Sequence, residues 1–424
     1  MKTLIQSVKG TRDFYPEDMA IRTWIYKTIG EVASSYGYQE YEGPILERID
    51  LYAAKSGEEL VKEQAFVFPD RGGDLITLRP ELTPSLARMV AQKQNELVYP
   101  LRWWSFGPFW RYEKPQKGRT REFFQWNIDL MGPTNAESDA ELIAIAAVFF
   151  QKMGLTPQHI QIHVNDRKLM EAVLDQIGIS KDKHKTVFHL IDRRDKMQPT
   201  DWETYAYENG IMPEQLNQLK EMFQDKDLWK TSDGLTRVFG VLDTLGLLEY
   251  ITFNSQIIRG LEYYTGTVFE ARDASGEGRA ILGGGRYDNL VSDVGGDALG
   301  GTGFAMGDVT FKLLLEKNNL VPENIYMKPT VLVTLFEGQE IVQTQKLAND
   351  IRKAGLNVIA YPEPAKLQKQ LKFADRRNIR IAVIQGPDEF AKGEVTIKDL
   401  SAREQETVKE AEAAFTIKKM LAKA

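Results

Sequence analysis

The 424 residues include no cysteine. Disulfides, thiolate zinc sites and a cysteine nucleophile are therefore excluded, and a reducing compartment is expected. Long apolar runs are missing as well. No window approaches the ~18 uninterrupted apolar residues of a membrane span. The first ten residues lack the apolar stretch of a secretory signal. A cytoplasmic protein with no membrane partner is expected. Histidine is scarce, four in all. His159, His163, His184 and His189 show no convincing metal spacing, and the sequence gives none of them a catalytic role. No internal repeat or low-complexity tract is present.

The net charge of -6 argues at first against a polyanion partner. Its distribution says more. From Lys328 to Ala424 there are 17 Lys and Arg against 13 Asp and Glu, a surplus of four positive charges. A mildly basic C-terminal unit on an acidic body is compatible with one RNA-facing module, and equally with random scatter of charge. The length suggests two or three domains.

Periodicity predicts helices over 21–36, 81–96 and 136–153. Strands are expected at 66–68, 75–78, 101–106 and 160–164, with a hairpin turn at Gly72-Gly-Asp74. From about 166 to 250 helical patterns dominate, which predicts a helical insertion inside an α+β domain. Strand signals return at 251, and a helix is expected over 309–317. Beyond a polar linker near 318–328, strand and helix patterns alternate. The last of them predicts one helix over 403–421. The expected domains are 1–325, interrupted at about 166–250, and 328–424.

Three segments carry chemistry. In the first, Arg111, Lys114, Lys117, Arg119 and Arg121 interleave with aromatics, and Pro115 and Gly118 suggest a hairpin-like loop. Period-two alternation puts Phe123, Gln125, Asn127 and Asp129 on one strand face. Guanidinium forks grip phosphate oxygens, and an aromatic ring stacks a base. The bland alternative is a solvated basic hairpin, but an unpaired carboxylate among aromatics is costly, which favours a site. In the second, Arg79-Pro-Glu81-Leu-Thr83, a carboxylate and a hydroxyl lie two residues apart; Glu81 also suits a helix N-terminus. The third joins Arg259-Gly-Leu-Glu-Tyr263-Tyr264 to Gly283-Gly-Gly-Arg-Tyr287-Asp. Its Tyr-Tyr pair reads equally as a strand pair with one ring in the core. The three glycines read as a turn or as backbone that a ligand approaches closely.

Together these segments resemble the histidyl-tRNA synthetase family of class II aminoacyl-tRNA synthetases, over nearly the whole chain and least in 166–250. The first resembles the class's motif 2. The resemblance implies an antiparallel-sheet catalytic domain with a helical insertion, and a C-terminal α/β anticodon-binding domain. It implies ATP-dependent joining of L-histidine to tRNA(His) through a histidyl-adenylate, with ATP and Mg²⁺, in a homodimer. Arg111 would grip the α-phosphate, Glu113 would face the adenine or the tRNA end, Arg119 or Arg121 would hold the outer phosphates, and Phe123 would stack under the adenine. Glu81, Thr83 and Gln125 would hold the α-amino group. Arg259 would contact both carboxylate and α-phosphate. Asp129 and Tyr264 would pair with the imidazole nitrogens, and Tyr263 and Tyr287 would complete the pocket. Motif 3 departs from the pattern: Gly303-Phe-Ala-Met-Gly307 fits, but Thr310 stands where the family has an ATP-clamping arginine. Lys312, Arg286 or a motif 2 arginine are the candidate substitutes, and Asp308 or Glu270 could meet Mg²⁺. Two other readings remain: a catalytically inactive paralogue of the ATP phosphoribosyltransferase regulatory subunit type, and an RNA-binding module on a dead catalytic fold.

Overall fold

A computed structural model describes residues 4–53, 63–194, 197–258, 264–276, 278–323, 325, 331–338 and 341–423. The chain separates into two compact units, Met1–Glu323 and Asn324–Ala424.

The first unit is built on strands β1 (Gln39–Glu40), β2 (Leu46–Arg48), β3 (Phe66–Pro69), β4 (Leu75–Leu78), β5 (Leu101–Trp110), β6 (Glu122–Gly132), β7 (Ile160–Asp166), β8 (Ile251–Phe253), β9 (Thr267–Asp273), β10 (Leu282–Arg286) and β11 (Gly300–Gly307). Eight of them form one sheet in the order β1-β5-β6-β11-β10-β9-β7-β8. The six central strands pair antiparallel, while β1 and β8 add parallel at the two edges. Strands β2, β4 and β3 form a separate small sheet.

One face of the large sheet is closed by the helix Ala136–Lys152, whose apolar residues run round most of its surface. Such a helix must be buried on nearly all sides. Its Phe149 ring packs on Trp126 of β6 at 4.9 Å and on Phe311 of the helix Asp308–Lys317 at 5.2 Å. Each fully buried aromatic or aliphatic side chain in this layer contributes roughly 1.5–3 kcal/mol. The helix Pro16–Ser35 adds a stripe of Ile21, Ile25, Ile29, Val32 and Ala33, as its spacing predicts. The other face of the sheet is left for a cleft.

Between β7 and β8 every regular element among the described residues is helical: Arg167–Gln176, Lys181–Arg193, Pro199–Glu208, Pro213–Met222 and Asp233–Thr244, plus two short 3-10 turns. The helical insertion expected there is present.

The second unit carries β12 (Val331–Val333), β13 (Val358–Ala360), β14 (Ile381–Ile384), β15 (Glu394–Asp399) and β16 (Glu404–Lys409), in the order β13-β12-β14-β15-β16. Its core includes Val331, Val333, Ile351, Ile381, Val383, Ile397 and Ile417. The single helix expected over 403–421 is wrong. Glu404–Lys409 pairs antiparallel with β15, and only Ala413–Ala422 is helical. Arg403 turns the chain with φ 59°. Glu, Gln and Lys favour a helix locally. Here an exposed edge strand takes them, because its backbone pairs with β15 whatever its side chains prefer.

Candidate active site

The open face of the sheet holds a cleft of about 1000 Å³. Sheet register fixes what lies on its floor. Asp129 of β6 sits beside Gly303 of β11, which sits beside Gly285 of β10. One row away, Asn127, Ala305, Gly283, Glu270 and His163 lie in line across β6, β11, β10, β9 and β7. Neighbouring strands stand ~4.8 Å apart, so this row spans roughly 19 Å. Alternation along β6 puts Gln125, Asn127 and Asp129 on the floor, and all three line the cleft.

At one end Asp129 is buried, and the Tyr287 hydroxyl donates to its Oδ1. Burial pushes the Asp129 carboxyl up to about 7, against a partly offsetting hydrogen bond from Tyr287. Two glycines make room for this corner. A Cβ on Gly303 would lie 2.2 Å from Asp129 Oδ1, and a Cβ on Gly285 would lie 2.9 Å from the Tyr264 ring. Thus Gly284 and Gly285 of the triplet serve packing within a strand rather than a turn, and Gly283 lines the cleft.

Tyr287 is aimed by its neighbour. Arg286 is buried and donates from Nε to Asp139 Oδ2 (3.1 Å) and from Nη2 to Asp139 Oδ1 (2.7 Å). It also donates to the carbonyls of Pro133 and Asn135, 3.0 Å each. Removing one partner of a buried pair strands the other charge. Arg286→Ala is expected to lower unfolding stability by about 3 kcal/mol, measured by urea denaturation; a loss below about 1 kcal/mol would contradict this strut role.

Glu81 enters from the loop before the helix Thr83–Lys93 and Thr83 from the helix's first position, and both line the cleft. Arg79 holds that loop. It is fully buried, donates from Nε to Pro108 O (3.0 Å) and from Nη1 to Gly43 O (3.0 Å), pairs with Glu42, and lies 4.5 Å over Phe109. Glu81 therefore precedes the helix and is 5% exposed, facing the cleft instead of capping a surface helix.

Arg111 and Arg119 line the opposite end. Arg111 Nε donates to Pro80 O at 3.1 Å, and its guanidinium carbon is 5.4 Å from the Phe123 ring. Arg119 pairs with Glu113. Phe123 stacks on Phe109 at 5.9 Å.

Nine residues singled out from sequence thus share this cleft: Glu81, Thr83, Arg111, Arg119, Gln125, Asp129, Tyr264, Glu270 and Tyr287. Arg259 and Tyr263 lie outside the described residues. Others are not among the cleft-lining side chains. Arg121 donates to the carbonyls of Glu113 (3.2 Å) and Lys9 (3.4 Å) and stacks on Tyr112. Asp308 is buried; it accepts from Arg12 at 2.9 and 3.2 Å and from the Phe124 N–H at 2.9 Å. Its carboxylate is committed to the fold, which argues against a metal role. Lys312 pairs with Asp18 at 2.7 Å. With Arg286 held by Asp139, neither Lys312 nor Arg286 reaches the cleft; of the substitutes named for the motif 3 arginine, only the motif 2 arginines Arg111 and Arg119 line it.

The sequence also passed over residues that line it. His163, set aside with the other histidines, stands on β7 beside Glu270 and Arg272. Burial first, and the Arg272 charge second, hold its imidazole below its ordinary value, hence neutral. Its Nδ1 is buried with no hydrogen-bond partner among the described residues. Arg272 and Arg279 of the β9–β10 hairpin line the cleft too. Their placement depends on long-range strand order, and no local pattern could have found it. Among the described residues no group of three His, Cys, Asp or Glu could hold a metal unaided, and no helix is long and apolar enough to cross a membrane.

Comparison with known proteins agrees with this geometry. A family model described as histidyl-tRNA synthetase matches residues 10–308, and one described as an anticodon binding domain matches 330–420. The chain is 39% identical over 417 residues to a histidine–tRNA ligase of Thermoplasma volcanium, covering 95% of this chain and 96% of that protein. It is 35% identical over 436 residues to one of Leptospira biflexa, covering 100% and 99%. The crystal structure of histidyl-tRNA synthetase from Nostoc sp. PCC 7120 superposes with a TM-score of 0.82 at 25% identity, covering 99% of this chain and all of that one. The chain belongs to the histidyl-tRNA synthetase family.

Proposed function

We propose that this protein ligates L-histidine to tRNA(His) in two steps. The histidine carboxylate attacks the α-phosphorus of ATP, forming histidyl-adenylate and releasing pyrophosphate. A ribose hydroxyl of the terminal tRNA adenosine then attacks the adenylate carbonyl, and AMP leaves. The observation that carries this reading is the polarity of one cleft. Along β6 the buried Asp129–Tyr287 pair lies at one end, followed by Gln125 and, beyond it, Arg111, while Glu81, Thr83 and Arg119 line the same cleft.

The roles follow from that order. Asp129 accepts an imidazole N–H, and Tyr264 lies beside the same glycine floor to meet the second nitrogen. A pocket that pairs both nitrogens rejects apolar isosteres, because its own polar groups would be left unmatched. Glu81, Thr83 and Gln125 receive the ammonium. Arg111 stabilises charge on the α-phosphorus, with Arg259 in the same role, and Arg119 holds the outer phosphates. Phe123 stacks under the adenine. Mg²⁺ would be held through the ATP phosphates with few protein ligands, as that ion prefers; Glu270, which lines the cleft beside Arg272, is the candidate carboxylate to meet it. The protein contributes positioning and charge, with no covalent step of its own.

The basic C-terminal unit takes the anticodon, and its contacts weaken with salt. Leu46, Val67, Phe68 and Leu75 are exposed on the small sheet. By alternation Leu46 and Phe68 share one face of this sheet and Val67 and Leu75 the other; an apolar pair in water favours a second copy of the chain as its cover. The cytoplasm is the expected compartment. The regulatory-paralogue alternative has no observation that favours it over the ligase.

Histidine-dependent ATP–pyrophosphate exchange, followed by charging of tRNA(His), tests the reading. Exchange with histidine and not with the other amino acids is expected. No exchange at saturating histidine and Mg-ATP would sink it.

A further inference from the structure

We infer that Arg272 supplies the nucleotide clamp that Thr310 cannot, gripping the ATP phosphate chain from the wall opposite Arg111 and Arg119. The inference rests on the ligase reading above and identifies a residue that the motifs do not mark.

The motif 3 position, Thr310, carries no charge and lies against the motif 2 loop. Gly118, at the tip of the motif 2 loop with φ 77°, sits over Thr310: a Cβ on this glycine would lie 3.6 Å from Thr310 Cγ2. The loop thus packs against the first turn of the helix Asp308–Lys317. Thr310 supplies no charge there, and Arg111 and Arg119 stand on one side of the cleft, so a cation on the opposite wall comes from another element.

Register identifies the source. Gly307, which precedes that helix, pairs with Gln125 on one side and donates its N–H to Ile281 O at 3.3 Å on the other. Ile281 adjoins β9, and Arg272 of β9 faces Gln161 of β7. Gln125, Gly307 and Arg272 thus lie in one row across the sheet. Two strand spacings, roughly 10 Å, separate the Arg272 backbone from Gly307. An extended arginine covers most of that distance. Arg272 shares the floor face with Glu270, two residues earlier on the same strand, and both line the cleft. Arg279 lines it as well, but from an exposed position in the hairpin, where ordering its side chain costs more entropy.

The surroundings suit an anion. Arg272 is 37% exposed, and its Nε pairs with Glu270. Neighbouring His163 is neutral, so it neither competes for phosphate nor repels the guanidinium. A strand-mounted guanidinium fork grips two phosphate oxygens with little rearrangement, which a lysine point charge cannot match.

The test compares wild type, Arg272→Ala, Arg272→Lys and Arg279→Ala by calorimetric titration with Mg-ATP and by ATP–pyrophosphate exchange. Arg272→Ala is expected to weaken Mg-ATP binding and raise KM for ATP about tenfold, with KM for histidine within twofold of wild type. Arg272→Lys should recover part of the loss. An ATP KM within twofold in Arg272→Ala, an equal rise in both KM values, or a tenfold effect confined to Arg279→Ala would each overturn the clamp. If wild type binds Mg-ATP, weakened by Arg272→Ala, but shows no histidine-dependent exchange, the ligase reading fails and the clamp stands.

Discussion

Asp129→Asn is expected to cut kcat/KM for histidine at least a hundredfold and yet to make the protein harder to unfold at pH 8. Both effects have one cause. Asp129 is buried, and its carboxyl is pushed up to about 7 from its ordinary value of 3.8, chiefly because burial penalises the charge. Between those values the folded protein holds a proton that the unfolded chain has released. The stabilising contribution is fully present below pH ~4 and is lost as pH rises through ~7. A gap of about three pH units corresponds to roughly 4 kcal/mol at pH 8. Asparagine keeps an acceptor for the Tyr287 hydroxyl and carries no charge, so it escapes the penalty. Urea unfolding should show the variant ahead by about 4 kcal/mol at pH 8 and about 2 kcal/mol at pH 5, with no difference below pH 4. The ionised carboxylate is what an imidazole N–H needs, and losing a charge-assisted bond in a buried pocket costs about 1.5–3 kcal/mol, with more for the unmatched groups left behind. A variant that binds histidine normally would remove Asp129 from the pocket, whatever its stability. A variant no more stable at pH 8 would mean that the carboxylate is better solvated than its burial implies.

This trade of stability for function explains what was legible in the sequence and what was not. The β6 face could be read because alternation is local: four residues at spacing two declare their side once the strand is recognised. The helical insertion could be read for the same reason, from 3.6-residue periodicity. Strand β11 could not. Its segment Gly300-Gly-Thr-Gly-Phe-Ala-Met-Gly307 has the composition of a loop, and four glycines in eight residues weaken any strand signal. Their reason is non-local. Gly303 lies under the Asp129 carboxylate, whose partner comes from beyond β10. Likewise His163 and Arg272 reach the cleft only because β7 and β9 lie side by side, an order set by the crossover through five helices. Arg286, Lys312 and Asp308 mark the converse limit. Each is a charged residue in or beside a motif, but each proves to hold the fold, and a sequence carries no sign of whether a guanidinium meets a buried aspartate or a ligand. Arg79 adds the same lesson from within the second motif: the arginine braces the loop, and Glu81 beside it faces the cleft.

Arg111→Ala is expected to lower kcat/KM for ATP–pyrophosphate exchange by about a thousandfold, roughly 4 kcal/mol of transition-state stabilisation. In the ligase reading the attack on phosphorus concentrates negative charge on oxygens that bulk water no longer reaches, and a preorganised cation there is worth more than in solution. Arg111 is preorganised from three directions. Its backbone N–H donates to Arg121 O at 2.9 Å, its Nε donates to Pro80 O at 3.1 Å, and its guanidinium lies 5.4 Å from the Phe123 ring. The Pro80 contact also ties it to the loop bearing Glu81, so the groups proposed for the ammonium and the α-phosphate move as one body. Arg111→Lys should recover little, since an ammonium offers neither the planar fork nor the Nε contact. Because Arg111 is only half-buried at the cleft wall, the alanine variant should unfold within about 1 kcal/mol of wild type. A thousandfold loss with an intact fold would assign the effect to chemistry. A loss below tenfold would mean that Arg119, Arg272 or Arg259 bears the charge instead, and the order of roles along the cleft would have to be redrawn.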